Sequence, residues 1–351
     1  MSKRELAARV LDNAIARNLS WVAKGNVKGL RILAYHRVFD ADVKSFAFDD
    51  GVLSASIEDF YEQMKFVRRH FEVISFADLH CLEQENRRWS ERALIVTFDD
   101  GYRDNYINAF PILKELGIPA TIFLVTSHIG QQRLFWWDAI CYCVKQTPLA
   151  AKVFKEMPDE HLEFTNAAQR QQAITRILKW AKQTPDELRR ALVDDLPAAL
   201  HVELPSVAGM HLNWDEVRDM AATGIEFGSH TVTHSVLANV SAEQLDWEMS
   251  ASKKVIEQQL GKEVLAIAYP AGQQGRFNQG TKDAAAKHGY RYAVSYDEGI
   301  VQQKNFDRLA MPRIHVEREQ TRSLFRANLC FPKLMLRETN IRDYQVAPFF
   351  S

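Results

Sequence analysis

Ala93-Leu94-Ile95-Val96-Thr97-Phe98-Asp99-Asp100-Gly101-Tyr102 joins a run of apolar and β-branched residues to two adjacent carboxylates and a glycine. The Leu94-Ile95-Val96 series suits a strand buried on both faces, the pattern of a parallel sheet covered by helices. Standing alone, Asp-Asp-Gly reads as a helix N-cap and a turn. Behind an apolar strand it delivers two carboxylates to the strand's carboxyl end. Successive strand side chains point to opposite faces, but the backbone bends where a strand ends, so both carboxylates can reach the mouth of a barrel.

The pattern repeats on either side. Short β-like runs occupy 30–38, 71–76, 120–126, 224–231, 264–270, 290–296 and 309–316. Helical patterns alternate with them. Ser56 and Asp59 resemble a helix start ahead of Ile57–His70. A helix around Tyr106–Leu116 stops at Gly117, with Pro119 beyond it. Further helices are predicted at Asn213–Ala222 and Ser241–Leu260, the latter opening on the capping-box pattern Ser241-Ala-Glu-Gln244. This alternation predicts an α/β fold, and roughly seven to eight strands favour a distorted (β/α) barrel over an open sheet.

The reading divides the chain into an N-terminal helix (1–27), a barrel (28–130 and 213–318), a helical insertion (131–212) and a C-terminal tail (319–351). Leu6, Val10, Ala14, Leu19 and Val22 recur at helical spacing and predict the lead-in helix over 3–23. Residues 131–212 carry no convincing strand pattern and predict about three to five helices. One of these starts at Thr184-Pro185-Asp186-Glu187, with Thr184 as N-cap and Pro185 at the first helical position. Barrels carry function on the loops after their strands, so the insertion is expected over the active-site mouth.

Composition narrows the function classes. With 46% hydrophobic and 25% charged residues, the chain reads as a globular protein rather than a disordered or collagen-like one. Lys plus Arg numbers 44 against 45 for Asp plus Glu, which gives no global reason to expect nucleic acid as a partner. Cys81, Cys141, Cys143 and Cys330 are too few and scattered for a disulfide framework and are expected as buried small hydrophobes. No signal-peptide or transmembrane run appears, so the expected compartment is the cytoplasm. The tail between Arg322 and Arg337 is cationic and apolar. It reads either as a helix packed on the barrel or as a peripheral contact with an anionic inner-membrane surface.

A second chemical signal, Gly228-Ser229-His230-Thr231-Val232-Thr233-His234, also follows a strand. Two imidazoles four apart converge on one metal if the segment turns once. With one Asp they make the three-protein-ligand set of a catalytic zinc site, leaving a position open for water. The second Asp is then a spare carboxylate beside that water, where a general base belongs.

Together these motifs resemble those of the polysaccharide deacetylases, carbohydrate esterase family 4, over roughly residues 30–130 and 210–317. The resemblance implies a distorted (β/α) barrel that removes acetyl groups from glycans with one divalent metal. It implies Asp100, His230 and His234 as metal ligands and Asp99 as base. Zinc is the first expectation, and the His-His-Asp set also suits iron, cobalt or nickel. The family's third motif, commonly Arg-Pro-Pro-Tyr-Gly, corresponds to Ala268-Tyr269-Pro270-Ala271-Gly272. Ala271 still offers the backbone N–H that stabilises the oxyanion, and Tyr269 stands beside it. The arginine that holds the base is absent. Arg313 and His315, two apart in the last strand, share a face. Arg313 is therefore read as the substitute support for Asp99 and His315 as the general acid. The family's fourth motif, an Asp near a Trp, is not recognisable. His36 ends the first strand and reads as a pocket residue, an alternative acid or a structural histidine. Phe135-Trp136-Trp137-Asp138 forms either a sugar-stacking wall or a packing face.

The expected function is a metal-dependent hydrolase that removes N-acetyl groups from an amino-sugar glycan or a nucleotide- or lipid-linked glycan precursor. Two alternatives stand beside it: a catalytically silent glycan-binding protein, and a metal-free cyclic amide hydrolase on the same barrel.

Overall fold

The computed structural model describes residues 3–17, 29–42, 45–304 and 306–336. Among them twelve strands occur: β1 (Arg31–Tyr35), β2 (Arg37–Val38), β3 (Leu53–Ala55), β4 (Glu72–Val73), β5 (Ala93–Phe98), β6 (Thr121–Leu124), β7 (Ala151–Phe154), β8 (Met157–Glu163), β9 (Glu226–Ser229), β10 (Ala266–Ala268), β11 (Tyr292–Glu298) and β12 (Met311–His315). β1, β12, β11, β10, β9, β6 and β5 pair in that order, all parallel, and β5 pairs again with β1. The result is a closed seven-strand barrel, with β4 added alongside β5. A register shift between Val294 and Glu298 distorts β11 against β12.

The period of two decides what the barrel presents. Ile32, Ile95, Phe123, Ala268, Val294 and Met311 belong to one buried cluster, the barrel interior. Their alternate neighbours Leu33, Leu94, Val96, Ile122, Ile267 and Ala293 belong to another, packed beneath the surrounding helices. Continuing the interior parity toward the strands' carboxyl ends arrives at His36, Asp99, Tyr296 and Arg313. Gly228 holds the same position on β9, opposite Phe123. A Cβ there would lie 2.4 Å from the Phe123 ring, so only glycine admits the ring that fills the barrel beneath the site.

Most helices start and stop where the sequence directs. Ser56 accepts from the Asp59 N–H to cap Ile57–His70, and Ser241 accepts from the Gln244 N–H to cap Ala242–Leu260. Gly117, at φ 62°, closes Phe110–Leu116. Before Pro111 the chain widens into a π turn over Asn105–Ala109, because proline has no N–H to continue the tighter ladder.

Several expectations need correction. The run 71–76 supplies only β4, because Ser75 and Asp78 form a capping box that starts a helix at Phe76. Cys81 lies exposed on that helix, whereas Cys141, Cys143 and Cys330 are buried. The lead-in helix spans Lys3–Arg17, but Leu6 and Val10 face outward. Among the residues whose burial is described, Ala8 is buried instead, because a small side chain admits the close approach of the helix Arg322–Cys330. Leu19 and Val22 lie outside the described residues.

In the tail, Phe325, Leu329 and Cys330 are buried against the barrel. Arg322 donates to Glu58 and Asp59, and Arg326 pairs with Asp12. These side chains are thereby taken up in packing, as the reading of a helix packed on the barrel expects for 322–331; Arg337 lies outside the described residues. No helix among the described residues is long and apolar enough to cross a membrane.

The insertion holds three helices, Trp136–Gln146, Ala167–Ala181 and Asp186–Ala199, and also an antiparallel hairpin, β7 with β8, that its sequence did not announce. Only Phe154, Met157 and Leu162 of the two strands are buried, too few to set up an apolar alternation. Thr184 is not an N-cap: Pro185 is extended, at ψ 143°, and the helix begins at Asp186.

The insertion has its own core around Phe135, Ile140, Ile177 and Leu196. Asp138 docks it to the barrel mouth. Its buried carboxyl accepts from the Tyr102 hydroxyl at 2.7 Å and from the Asp49 N–H at 3.0 Å. Burial pushes Asp138 from 3.8 up to about 6. The folded state therefore binds this proton more tightly than the unfolded chain does. The associated stability, about 3 kcal/mol, is present below pH 4 and lost as pH rises through about 6. In urea titrations across that window, Asp138→Asn is expected to flatten the decline; an unchanged slope would assign it to other groups.

Candidate active site

A cavity of about 290 Å³ opens at the carboxyl ends of the barrel strands. His36, Asp99, Asp100, His230, His234 and Tyr296 line it, with Tyr269 and Ala271 from the segment after β10. Further lining comes from outside the barrel motifs, including Asp49, Trp136, Trp137 and Lys182.

Backbone conformation is strained here. Six described non-glycine residues have positive φ, and Asp100 (77°), Thr231 (68°), His234 (58°) and Ala271 (51°) all belong to this site. Each left-handed residue costs roughly 1–2 kcal/mol. Such clusters persist where the surrounding structure fixes a functional geometry.

Asp100 Oδ1 lies 3.5 Å from both His230 Nε2 and His234 Nε2, and all three residues are buried. Burial, followed by the charge of Asp99, pushes the Asp100 carboxyl well above its usual range. Burial pushes both imidazoles below theirs, which keeps them neutral with lone pairs available. The Ala268 carbonyl lies 2.7 Å from His230 Nδ1 and, by accepting its proton, leaves Nε2 bare toward Asp100. Asp100 Oδ1 is buried and has no hydrogen-bond partner among the described residues. The bare His230 Nε2, the His234 Nε2 at the same distance and an orphaned carboxylate oxygen around one point fit a divalent cation.

Asp99 is the second carboxylate, and its partner is Arg313. Nη1 donates to Oδ1 at 2.8 Å and Nη2 to Oδ2 at 2.7 Å. Arg313 is fully buried, and it also donates to the Ser295 carbonyl at 2.9 Å and the Thr97 hydroxyl at 3.1 Å. Burial raises the Asp99 pKa, but the guanidinium outweighs it and holds the carboxyl well below the usual range. The guanidinium missing at Ala268 thus reaches Asp99 from β12.

The two histidine candidates for the acid separate. His36 lines the cavity, with Nε2 4.0 Å from Asp99 Oδ2. Burial pushes it down to about 4, against the pull of Asp99, so it is neutral at pH 7. His315 shares the face of Arg313, yet its ring stacks on Tyr296 at 3.8 Å and 11°. Tyr296 forms the cavity wall and His315 does not. The sequence expectation of His315 as the general acid is corrected: its ring stacks on Tyr296, which lines the cavity, and does not itself line it.

Tyr269 spends its hydroxyl on the Leu309 carbonyl at 3.0 Å and presents only its body to the cavity. Trp136 and Trp137 line the cavity and also pack. Trp137 stacks on Phe135 at 4.3 Å and donates to the Tyr102 hydroxyl, as the packing-face reading expects.

Sequence reasoning missed Glu248. Fully buried on the helix Ala242–Leu260, it accepts from the N–H groups of Val232 (2.7 Å) and Thr233 (3.0 Å) and from the Thr233 hydroxyl. It thereby clamps the turn between the two histidines. No motif marks a glutamate within a helix as such a clamp.

The profile of one known family, polysaccharide deacetylase, matches residues 86–293, more than half the chain. The chain belongs to the polysaccharide deacetylase family. Among individual polysaccharide deacetylase relatives, it is 22% identical over 309 residues to YxkH of Bacillus subtilis (strain 168), covering 88% of this chain and 78% of that one. It is 28% identical over 129 residues to the poly-beta-1,6-N-acetyl-D-glucosamine N-deacetylase of Staphylococcus aureus (strain MSSA476), covering 37% of this chain and 41% of that one. The fold resembles that of the Streptococcus pyogenes deacetylase PplD in complex with acetate, with a TM-score of 0.56 and 20% identity over 84% of this chain and 96% of that one.

Zinc titrated into the protein is expected to fill one site per chain, read by equilibrium dialysis with metal analysis. His230→Ala and His234→Ala should abolish it, and Glu248→Gln should weaken it about 10–100-fold. Undiminished binding in both histidine variants would contradict the donor assignment.

Proposed function

We propose that this polysaccharide deacetylase removes N-acetyl groups from the amino-sugar residues of a glycan, with a divalent metal held by Asp100, His230 and His234. The observation that carries the reading is the pairing of two unlike carboxylates in one cavity. Asp99 is clamped and charged by Arg313, whereas Asp100 Oδ1 stands orphaned 3.5 Å from the Nε2 of each imidazole. Zinc is the first candidate for the ion. Bound there, it would act as a Lewis acid that polarises the acetyl carbonyl and lowers the pKa of water.

The chain's own groups do the rest. Asp99 accepts the proton of the attacking water, and the Arg313 fork fixes the direction of its lone pairs. The Ala271 N–H donates to the oxygen of the tetrahedral intermediate as charge develops there. The proton held by Asp99 then moves to the departing amine. His36, the imidazole beside Asp99 on the cavity wall, is placed to carry it. Trp136 and Trp137 offer apolar surface to the sugar and restrict the entry of water.

The Ala268 departure that favoured a silent glycan-binding protein loses its weight, because Arg313 supplies the guanidinium from another strand. The complete Asp/His/His donor set weighs against a metal-free cyclic amide hydrolase. The name of the Staphylococcus aureus relative supports N-acetylglucosamine polymers as the first substrates to test.

Acetate release from N-acetylglucosamine oligosaccharides tests the reading. Asp99→Asn is expected to retain the metal and lose about 10²–10⁴ in turnover, whereas Asp100→Asn should weaken metal binding itself. Equal metal retention in both variants would refute the division of labour. Arg313→Met should likewise lower turnover without releasing metal.

A further inference from the structure

Two cavity groups have no part in the chemistry above. Asp49 lies in the segment before β3, and Lys182 caps the end of the helix Ala167–Ala181 in the insertion. Both are held by their backbone. Asn239 Nδ2 and Arg276 Nη1, from loops of the barrel, donate to the Lys182 carbonyl. The Asp49 N–H donates to Asp138 at 3.0 Å, and Asp49 Oδ1 accepts from the Gly51 N–H at 3.0 Å. The functional ends are unspent. Among the described residues, the Lys182 ammonium has no hydrogen-bond acceptor, and Asp49 Oδ2 has no donor. The two attract each other electrostatically without forming a hydrogen-bonded pair.

We propose that Asp49 and Lys182 form the subsite that recognises the ring hydroxyls of the amino sugar, a role that rests on the deacetylase reading. A carboxylate oxygen accepts from one hydroxyl, and an ammonium donates to the oxygen of a neighbour. This acceptor-and-donor arrangement fits a neutral polyol, whereas an anionic phosphate or carboxylate substituent would meet Asp49. Trp136 and Trp137 line the same cavity and supply the apolar face that a sugar ring needs. Specificity therefore resides in the insertion and the 45–52 segment, and the barrel motifs supply the chemistry. Anchoring both backbones beforehand lowers the ordering cost of the subsite.

The test uses a tetramer of β-1,6-linked N-acetylglucosamine, whose internal residues keep adjacent free hydroxyls. Binding is measured by calorimetry to zinc-loaded Asp99→Asn protein, and kinetics to the otherwise wild-type enzyme. Adding Asp49→Asn or Lys182→Gln is expected to weaken binding at least 10-fold with unchanged zinc content. In the active enzyme the same changes should raise KM with kcat held within about threefold, and Lys182→Arg should recover part of the loss. Unchanged affinity would overturn the subsite. A fall in kcat at constant KM would overturn it too, by making Lys182 a proton donor. Absence of both binding and acetate release in the parent proteins would overturn the deacetylase reading itself, and this inference with it.

Discussion

A guanidinium with no exposure to solvent sits inside the barrel, and Asp99 is the carboxylate that answers it. Breaking such a pair leaves an uncompensated buried charge, at a cost of about 3–5 kcal/mol. Arg313 therefore constrains the fold as well as the site. From β12 it reaches Ser295 on β11 and Thr97 and Asp99 at the end of β5. These strands meet only through barrel closure around β1. The pair also frees Asp100 for a different task. With Asp99 committed to a cation of the protein, its neighbour is the carboxylate left to face the two imidazoles. Two adjacent residues of one type thus come to occupy unlike environments.

Much of this was legible in the sequence because the barrel obeys a period of two. The apolar runs located every barrel strand, and strand parity put Arg313 on the side from which it meets Asp99. The carboxylate pair and the two histidines four apart were visible for the same reason: short segments leaving strand ends have few ways to turn. Parity specifies a face without specifying what stands in front of it. His315 has the correct face, yet Tyr296, from the neighbouring strand, covers it. Only the register of β11 against β12 shows this, and that register is shifted.

Other features left no periodic trace. The β7–β8 hairpin buries only Phe154, Met157 and Leu162, so it does not need apolar alternation. The lead-in helix packs through Ala8, a residue too small to register as a hydrophobic stripe. Glu248, Asp49 and Lys182 act on the site from segments whose positions depend on tertiary docking. Asp138 fixes the Asp49 segment, and Asn239 with Arg276 fixes Lys182. The division is physical: residues at strand ends are placed by the barrel's geometry, and residues of the surrounding segments are placed by individual buried hydrogen bonds.

The central claim is that one divalent ion on Asp100, His230 and His234 makes the barrel-mouth cavity a deacetylase site. Titration of zinc into chelator-treated protein, with acetate release from an N-acetylglucosamine oligosaccharide followed at each addition, tests it most directly. The account expects activity to rise from baseline in proportion to bound zinc and to level off at one equivalent per chain. Full acetate release by the metal-stripped protein, or a break in the titration at any other stoichiometry, would contradict it.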